Sequence, residues 1–268
     1  MVCFDKNGIS QKILCGYDAS NFHCAVPNMT IAAVLFDLDN TLTHRDLSVQ
    51  AFSQALYQHY QRNILTVKDQ AIPLILETIR YIDNGGYPLR ERLTIPTIGG
   101  SVADRLLQVL DWQQAPELEA LSQFWFNQFG LNAVPMPGAE TLLRQLREDG
   151  YQLALISNGG HATRLKILEG LGFADYFDVI LSSERAGVAK PAAGIFELAC
   201  AELNLQPQQG LYIGDHPVND YQGATQAGLQ ALLMAGFHDL AGQHAVPVQH
   251  VIHSLHEVHN FLQASAVP

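Results

Sequence analysis

Cysteine is scarce in this sequence. There are four, Cys3, Cys15, Cys24 and Cys200, and three of them fall within the first 24 positions. Their spacing forms no C-x-x-C pair, which removes a zinc signature. Nothing beside the three early thiols would lower their pKa, so they give no sign of a redox arm. Positive charge is also sparse: 15 Lys and Arg stand against 26 Asp and Glu, for a net charge of −11. That balance argues against nucleic acid held by phosphate contacts. It does not exclude a small phosphate, which local cations can hold. No run of 18 or more apolar residues occurs, so no membrane span is expected. A basic n-region and a sustained apolar h-region are both missing, which excludes a secretory signal and makes a reduced, cytoplasmic setting the expectation. Internal repeats and low-complexity stretches are absent as well.

What the chain does have is apolar content, 48% over 268 residues. That suffices for one large domain or two smaller ones. The run Ile31-Ala32-Ala33-Val34-Leu35-Phe36 reads as a parallel strand buried on both faces. It ends abruptly in Asp37-Leu38-Asp39-Asn40-Thr41-Leu42. The pattern recurs: 152–156 ends in Ser157-Asn158, and 211–213 ends in Gly214-Asp215, with Asp220 five residues on. A strand over 178–181 leads to a loop carrying Lys190. In an open α/β sheet, ligands bind outside the carboxyl ends of the strands. If these strands are parallel neighbours, Asp37, Asp39, Ser157, Lys190, Asp215 and Asp220 converge on one sheet edge.

Between the first strand and the second the grammar changes. From about Asp46 to Gly130 the periodicity is helical, without a βαβ signal. Val49, Phe52, Leu56 and Tyr60 share one helix face. A second helix spans 67–82 with Pro73 as a possible kink. A third is expected over 101–110, opened by a Ser101 cap, and a fourth over 116–129. After Pro135-Met136-Pro137-Gly138, strand and helix alternate, with helices expected at 139–149, 161–170, 192–203 and 218–227. Strands over 229–234 and 248–252 follow, then a last helix opened by a Ser254–Glu257 capping box. The organisation expected is therefore a leader over 1–28, a Rossmann-like three-layer α/β core from 29–43 and 135–268, and an inserted all-helical cap over 44–134.

Four carboxylates at one sheet edge repel: like charges 4 Å apart cost roughly 4 kcal/mol at an effective dielectric of 20. A cation relieves that, and an all-oxygen donor set suits Mg²⁺. Mg²⁺, Lys and Ser at one point make a site for phosphoryl oxygens. A carboxylate there can attack phosphorus, and a second can carry the proton.

Asp37-Leu38-Asp39-Asn40-Thr41-Leu42, Ser157-Asn158, Lys190-Pro191 and Gly214-Asp215-x-x-x-x-Asp220 resemble, in order and spacing, the four motifs of the haloacid dehalogenase superfamily. The resemblance covers about 29–265. It implies Asp37 as nucleophile and Asp39 as general acid/base. It implies Mg²⁺ on Asp37, the Asp39 carbonyl and Asp215, with Thr41 and Asp220 in support. Ser157, Asn158 and Lys190 would hold the phosphoryl group. The dehalogenases lack the second acid of the first motif; Asp39 is present, which resembles the phosphatase branch. Ala192-Ala193 after Lys-Pro departs from the acidic or polar residue common in relatives.

The function implied is hydrolysis of a small-metabolite phosphomonoester through an aspartyl-phosphate. Nucleoside monophosphates, flavin mononucleotide and sugar or sugar-acid phosphates are the substrate classes that resemble it. A sugar phosphomutase shares the motifs, and a receiver-like binding module shares the strand-end acids and Lys. His216 reads as a loop residue. His250, His253, His256 and His259 read as a solvated helix face, and Arg90 and Arg92 as surface charges of the cap.

Overall fold

The computed structural model describes residues 30–238 and 250–265. The expected leader over 1–28 lies outside the described residues. Six strands form one parallel sheet: β1 (Ala33–Phe36), β2 (Gln152–Ser157), β3 (Val179–Ser182), β4 (Gly210–Gly214), β5 (Gln230–Met234) and β6 (Val251–Ile252). Their order is β3-β2-β1-β4-β5-β6. The chain reverses direction across the sheet at β1, where β2 and β4 flank it on either side, and a crevice opens there. Phe36 pairs with Leu155 and with Ile213, so the next residues outward, beginning with Asp37, stand level at the carboxyl edge.

Alternation along the strands divides the core. Val34, Phe36, Leu153, Leu155, Leu211 and Ile213 face one side. They meet α5 (Ala139–Glu148), α6 (His161–Leu171) and α10 (His256–Ser265). Ala33, Leu35, Ala154, Ile156 and Tyr212 face the other. They meet α8 (Ala193–Glu202), which follows the single-turn α7 (Ser183–Ala186), and the short α9 (Gly223–Gln226). The result is the expected three-layer Rossmann-like α/β arrangement. No helix among the described residues is long and apolar enough to cross a membrane.

Between β1 and β2 lie α1 (Arg45–Tyr60), α2 (Lys68–Asp83), α3 (Ile98–Val109) and α4 (Leu118–Gln128). They bury a core of their own, centred on Phe52, Leu56, Ile75, Ile79, Leu106 and Trp125. Pro73 lies inside α2, which continues through it. Ala71, Ile75, Ile79 and Ile82 fix that helix by burial, and packing outweighs the one lost hydrogen bond.

Of the strand expected over 248–252, Val251–Ile252 is strand and 248–249 lie outside the described residues. Two helices differ from the sequence reading. Helix α3 starts at Ile98, capped by the Thr97 hydroxyl on Gly100 N, rather than at Ser101. Ser101 instead bonds the Ile95 carbonyl and amide from within the helix. The Gly99-Gly100 pair resembles a loop, but a Cβ on Gly99 would stand 2.4 Å from Trp125. Second, the expected helix over 218–227 is a π-turn over Pro217–Gln222 followed by α9. The wider winding, in which the Tyr221 amide reaches back five residues to the His216 carbonyl at 3.3 Å, accompanies an inward-facing Asp220. Such insertions are frequent at functional sites.

At the end of the chain, Glu257 accepts from the Ser254 amide at 2.9 Å, one half of the expected capping box. His250 contacts the Tyr221 hydroxyl, and His259 faces Asp149 at 3.7 Å.

Candidate active site

The strands deliver their tips to one place. Asp37 extends β1, its amide donating to Ile213 O at 2.8 Å. Its Oδ1 accepts from Lys190 Nζ at 2.5 Å. The same ammonium donates to Asp220 Oδ1 at 2.7 Å and to the Tyr212 hydroxyl at 2.9 Å. Lys190 is thereby 3% exposed at its side chain with all three N–H groups spent. Asp220 Oδ2 accepts from His216 N at 2.9 Å. Gly214 is what lets Asp220 lie there, since a Cβ on it would be 2.4 Å from the Asp220 carboxyl carbon. Asp215 accepts from Tyr87 Oη at 3.2 Å and from His238 Nε2 at 3.1 Å.

One oxygen each of Asp37, Asp215 and Asp220 lies within 4.8 Å of the others, and all three residues are buried. Burial, joined by the carboxylates of Asp220 and Asp215, holds Asp37 well above the usual carboxylate range despite the pull of Lys190. Burial also raises Asp215, against the hydrogen bond from His238. Lys190 is pulled down by burial but raised further by Asp220 and Asp37, so it stays protonated. One ammonium therefore does not balance these acids. Hard oxygen donors with unrelieved mutual repulsion fit a divalent cation such as Mg²⁺.

Asp39 faces a different environment. Its Oδ1 accepts from Arg45 at 2.8 Å and its Oδ2 from Arg164 at 3.0 Å. Burial pushes its carboxyl up, but the two guanidiniums outweigh that and hold it below the usual range. Arg45 also forks onto Asp83, at 3.1 and 2.5 Å, and lies over the Phe129 ring. One buried guanidinium thus joins the core acid Asp39 to Asp83 at the end of α2. A second bridge between these parts is Asn40, which donates to Gly85 O at 3.2 Å.

Of the expected phosphate ligands, Ser157 and Lys190 line a cavity of about 90 Å³ with Asp37, Asp39, Tyr87 and Arg164. Asn158 lines it too, but its side chain clasps the Lys190 backbone, donating to the carbonyl at 3.0 Å and accepting from the amide at 2.9 Å. One amide hydrogen remains for a ligand. Thr41 is buried, and its Oγ1 has no hydrogen-bond partner among the described residues. Arg92 lies over Tyr81 beside a separate cavity between α2 and α3, and Arg90 is exposed. His216 caps the π-turn by accepting from Val218 and Asn219 amides.

The residues that sequence reasoning missed are Arg45, Asp83, Tyr87, Arg164 and His238. Two of them carry a signal that needs the true helix ends. Arg45 is the first residue of α1 and Asp83 the last of α2. Each charge sits at the end of its helix that the macrodipole disfavours. Charges so placed imply partners elsewhere in the fold.

A parallel α/β sheet whose central strand ends in a buried acid, joined by two further acids and one lysine, defines the class of α/β proteins that handle a charged group at a strand-end crevice. Comparison with known proteins narrows the class. The family model for haloacid dehalogenase-like hydrolases matches residues 31–228, and the chain belongs to that family.

Haloacid dehalogenase-like hydrolase domain-containing protein 3 of Bos taurus is 42% identical over 102 residues, which are 38% of this chain and 40% of that protein. The chain therefore spans two fifths of that relative. A glyceraldehyde 3-phosphate phosphatase of Methanothermobacter thermautotrophicus is 30% identical over 209 residues, 76% of this chain and 85% of that one. In fold, the chain is similar to the magnesium-bound HAD hydrolase YfnB from Bacillus subtilis. The TM-score is 0.58 at 22% identity, covering 87% of this chain and 99% of the other.

Proposed function

We propose that this hydrolase is a Mg²⁺-dependent phosphatase of a small phosphomonoester, working through an aspartyl-phosphate on Asp37. The observation that carries the reading is the meeting of the Asp37, Asp215 and Asp220 carboxylates with the Lys190 ammonium at the strand ends. The phosphatase relative and the magnesium-bound neighbour support it. The substrate classes are those expected from the motifs: nucleoside monophosphates, flavin mononucleotide, and sugar or sugar-acid phosphates.

Asp37, Asp215 and the Asp39 carbonyl would hold Mg²⁺, with Asp220 and Thr41 behind them. The chemistry such an ion supplies is neutralisation of the acids and polarisation of the phosphoryl oxygens. The remaining work falls to the chain. Ser157 and the free amide hydrogen of Asn158 orient the phosphoryl group, and Lys190 supplies positive charge beside it while its three N–H groups stay on Asp37, Asp220 and Tyr212. An Asp37 oxygen forms a bond to phosphorus as the ester P–O bond breaks. The leaving oxygen takes a proton from Asp39 and departs as an alcohol. Water then attacks phosphorus, Asp39 takes its proton, and the acyl-phosphate P–O bond breaks to restore Asp37. One water enters; alcohol and inorganic phosphate leave.

Asp39 between two guanidiniums is held as a carboxylate, which suits the second step. Donation in the first requires that it loosen from at least one of them. Residues 44–134, acting as a cap, would close over the cavity and exclude water. Within the cap, Tyr87 and Gly86 reach the cavity.

Phosphate release across a metabolite panel tests this reading. Release is expected with Mg²⁺, lost in chelator and restored on readdition. Asp215→Asn should raise the Mg²⁺ concentration for half-maximal rate on the order of 100-fold or more. Chelator-independent release would contradict the metal assignment.

A further inference from the structure

In the reading above Arg164 does no more than hold Asp39. Its side chain is 13% exposed and lines the cavity that holds Asp37, Asp39, Ser157 and Lys190. Of its five N–H hydrogens, one goes to Asp39 Oδ2 and one to the Asn158 carbonyl. Its Nε is buried and has no hydrogen-bond partner among the described residues. An unmet donor on a buried cation is costly and calls for an acceptor.

The place is built rather than accidental. Gly159 has φ of +133°, and a Cβ there would stand 2.3 Å from Arg164 Nη2 and 3.0 Å from Nε. The loop that carries Ser157 and Asn158 is thus shaped around the guanidinium. Arg164 is not the sole cation on Asp39, since Arg45 engages the other oxygen at 2.8 Å.

We propose that Arg164 recognises a carboxylate carried by the leaving group, so that the preferred substrates are phosphate esters of small hydroxy acids. The inference rests on the phosphatase reading and on Asp39 as the group that meets the leaving oxygen. A guanidinium 3.0 Å from Asp39 then stands beside the first carbons of the leaving group. Its planar fork matches a carboxylate with two parallel bonds. The cavity that Arg164 lines is small, about 90 Å³, which suits a short leaving group. Binding there would also draw Arg164 off Asp39, loosening one of the two guanidiniums that hold it.

The test compares kcat/KM for 3-phosphoglycerate and glycerol 3-phosphate, which differ by a carboxylate against a hydroxymethyl group, in wild type, Arg164→Gln and Arg164→Lys with Mg²⁺ present. Wild type should favour 3-phosphoglycerate by about 10- to 100-fold, the worth of charge-assisted hydrogen bonds. Arg164→Gln should bring the ratio close to one, mainly through KM for 3-phosphoglycerate, and Arg164→Lys should fall between. The wild-type ratio is read without any variant, and circular dichroism checks the folding of both variants. Equal wild-type values, or an equal loss on both substrates in Arg164→Gln, would overturn the proposal. So would a preference for propane-1,3-diol bisphosphate over 3-phosphoglycerate. Turnover of p-nitrophenyl phosphate alongside any of those results leaves the phosphatase reading standing. Release of no phosphate from any ester would remove that reading itself.

Discussion

Replacing Asp37 by Asn lowers phosphate release on the order of 10⁴-fold or more, the scale seen when a nucleophile is removed from a covalent mechanism. The same change does not lower the melting temperature at neutral pH. Asp37 is buried beside Asp215 and Asp220, and its carboxyl lies well above the usual range because burial and those neighbours disfavour its charge. An amide of the same shape removes that repulsion. It retains an oxygen to accept from Lys190 Nζ, which stays paired with Asp220 at 2.7 Å. Activity and stability thus part company, as at sites that keep strain for function. Circular dichroism melts beside a phosphate-release assay measure both. A large loss of stability in the variant would mean that Asp37 holds the fold together rather than acting on substrate.

Arg45→Met destabilises the protein by about 3–5 kcal/mol, the cost of removing one partner from a buried ion pair. Arg45 is buried with Asp83 and Asp39, and its removal takes the guanidinium from Asp83 and leaves Asp39 with Arg164 alone. Urea unfolding at pH 7 measures the loss, and Arg45→Met/Asp83→Asn should recover part of it. The pH dependence has a definite sign. Asp39 is depressed in the folded state by Arg45 and Arg164 against burial. Its contribution is therefore present above the ordinary carboxylate pKa and is lost as pH falls through the lower folded value. The gap between wild type and Arg45→Met should narrow on that acid side. A gap that widens there would contradict the pairing.

Much of this site was legible before the fold was known. Unbroken apolar runs ending in Asp37, Ser157 and Asp215 place their tips at one edge once parallel pairing is assumed, and the register β2-β1-β4 does so. Lys190 and Asp220 followed from motif order. What stayed hidden were side chains whose roles depend on pairs distant in sequence. Arg45 and Asp83 are 38 positions apart, and Tyr87 reaches Asp215 across 128. Each alone looks like surface. Arg164 hid for a local reason: with Lys166 and Glu169 it is one of three charged residues in an 11-residue helix and reads as part of the solvated face, and only Gly159 makes room for it to turn inward. The π-turn at Pro217–Gln222 was illegible because Asp220's inward contacts, not helical periodicity, set its winding.

The central assignment is that Asp37 carries the phosphoryl group in transit. Rapid acid quench of the Asp39→Asn variant during turnover, in which the second step should be slowed, followed by peptide mass spectrometry, tests it most directly. A phosphoryl group on the peptide containing Asp37, absent in Asp37→Asn and released as inorganic phosphate on a longer chase, is the predicted result. Turnover without any such label, or a label on another residue, would contradict it.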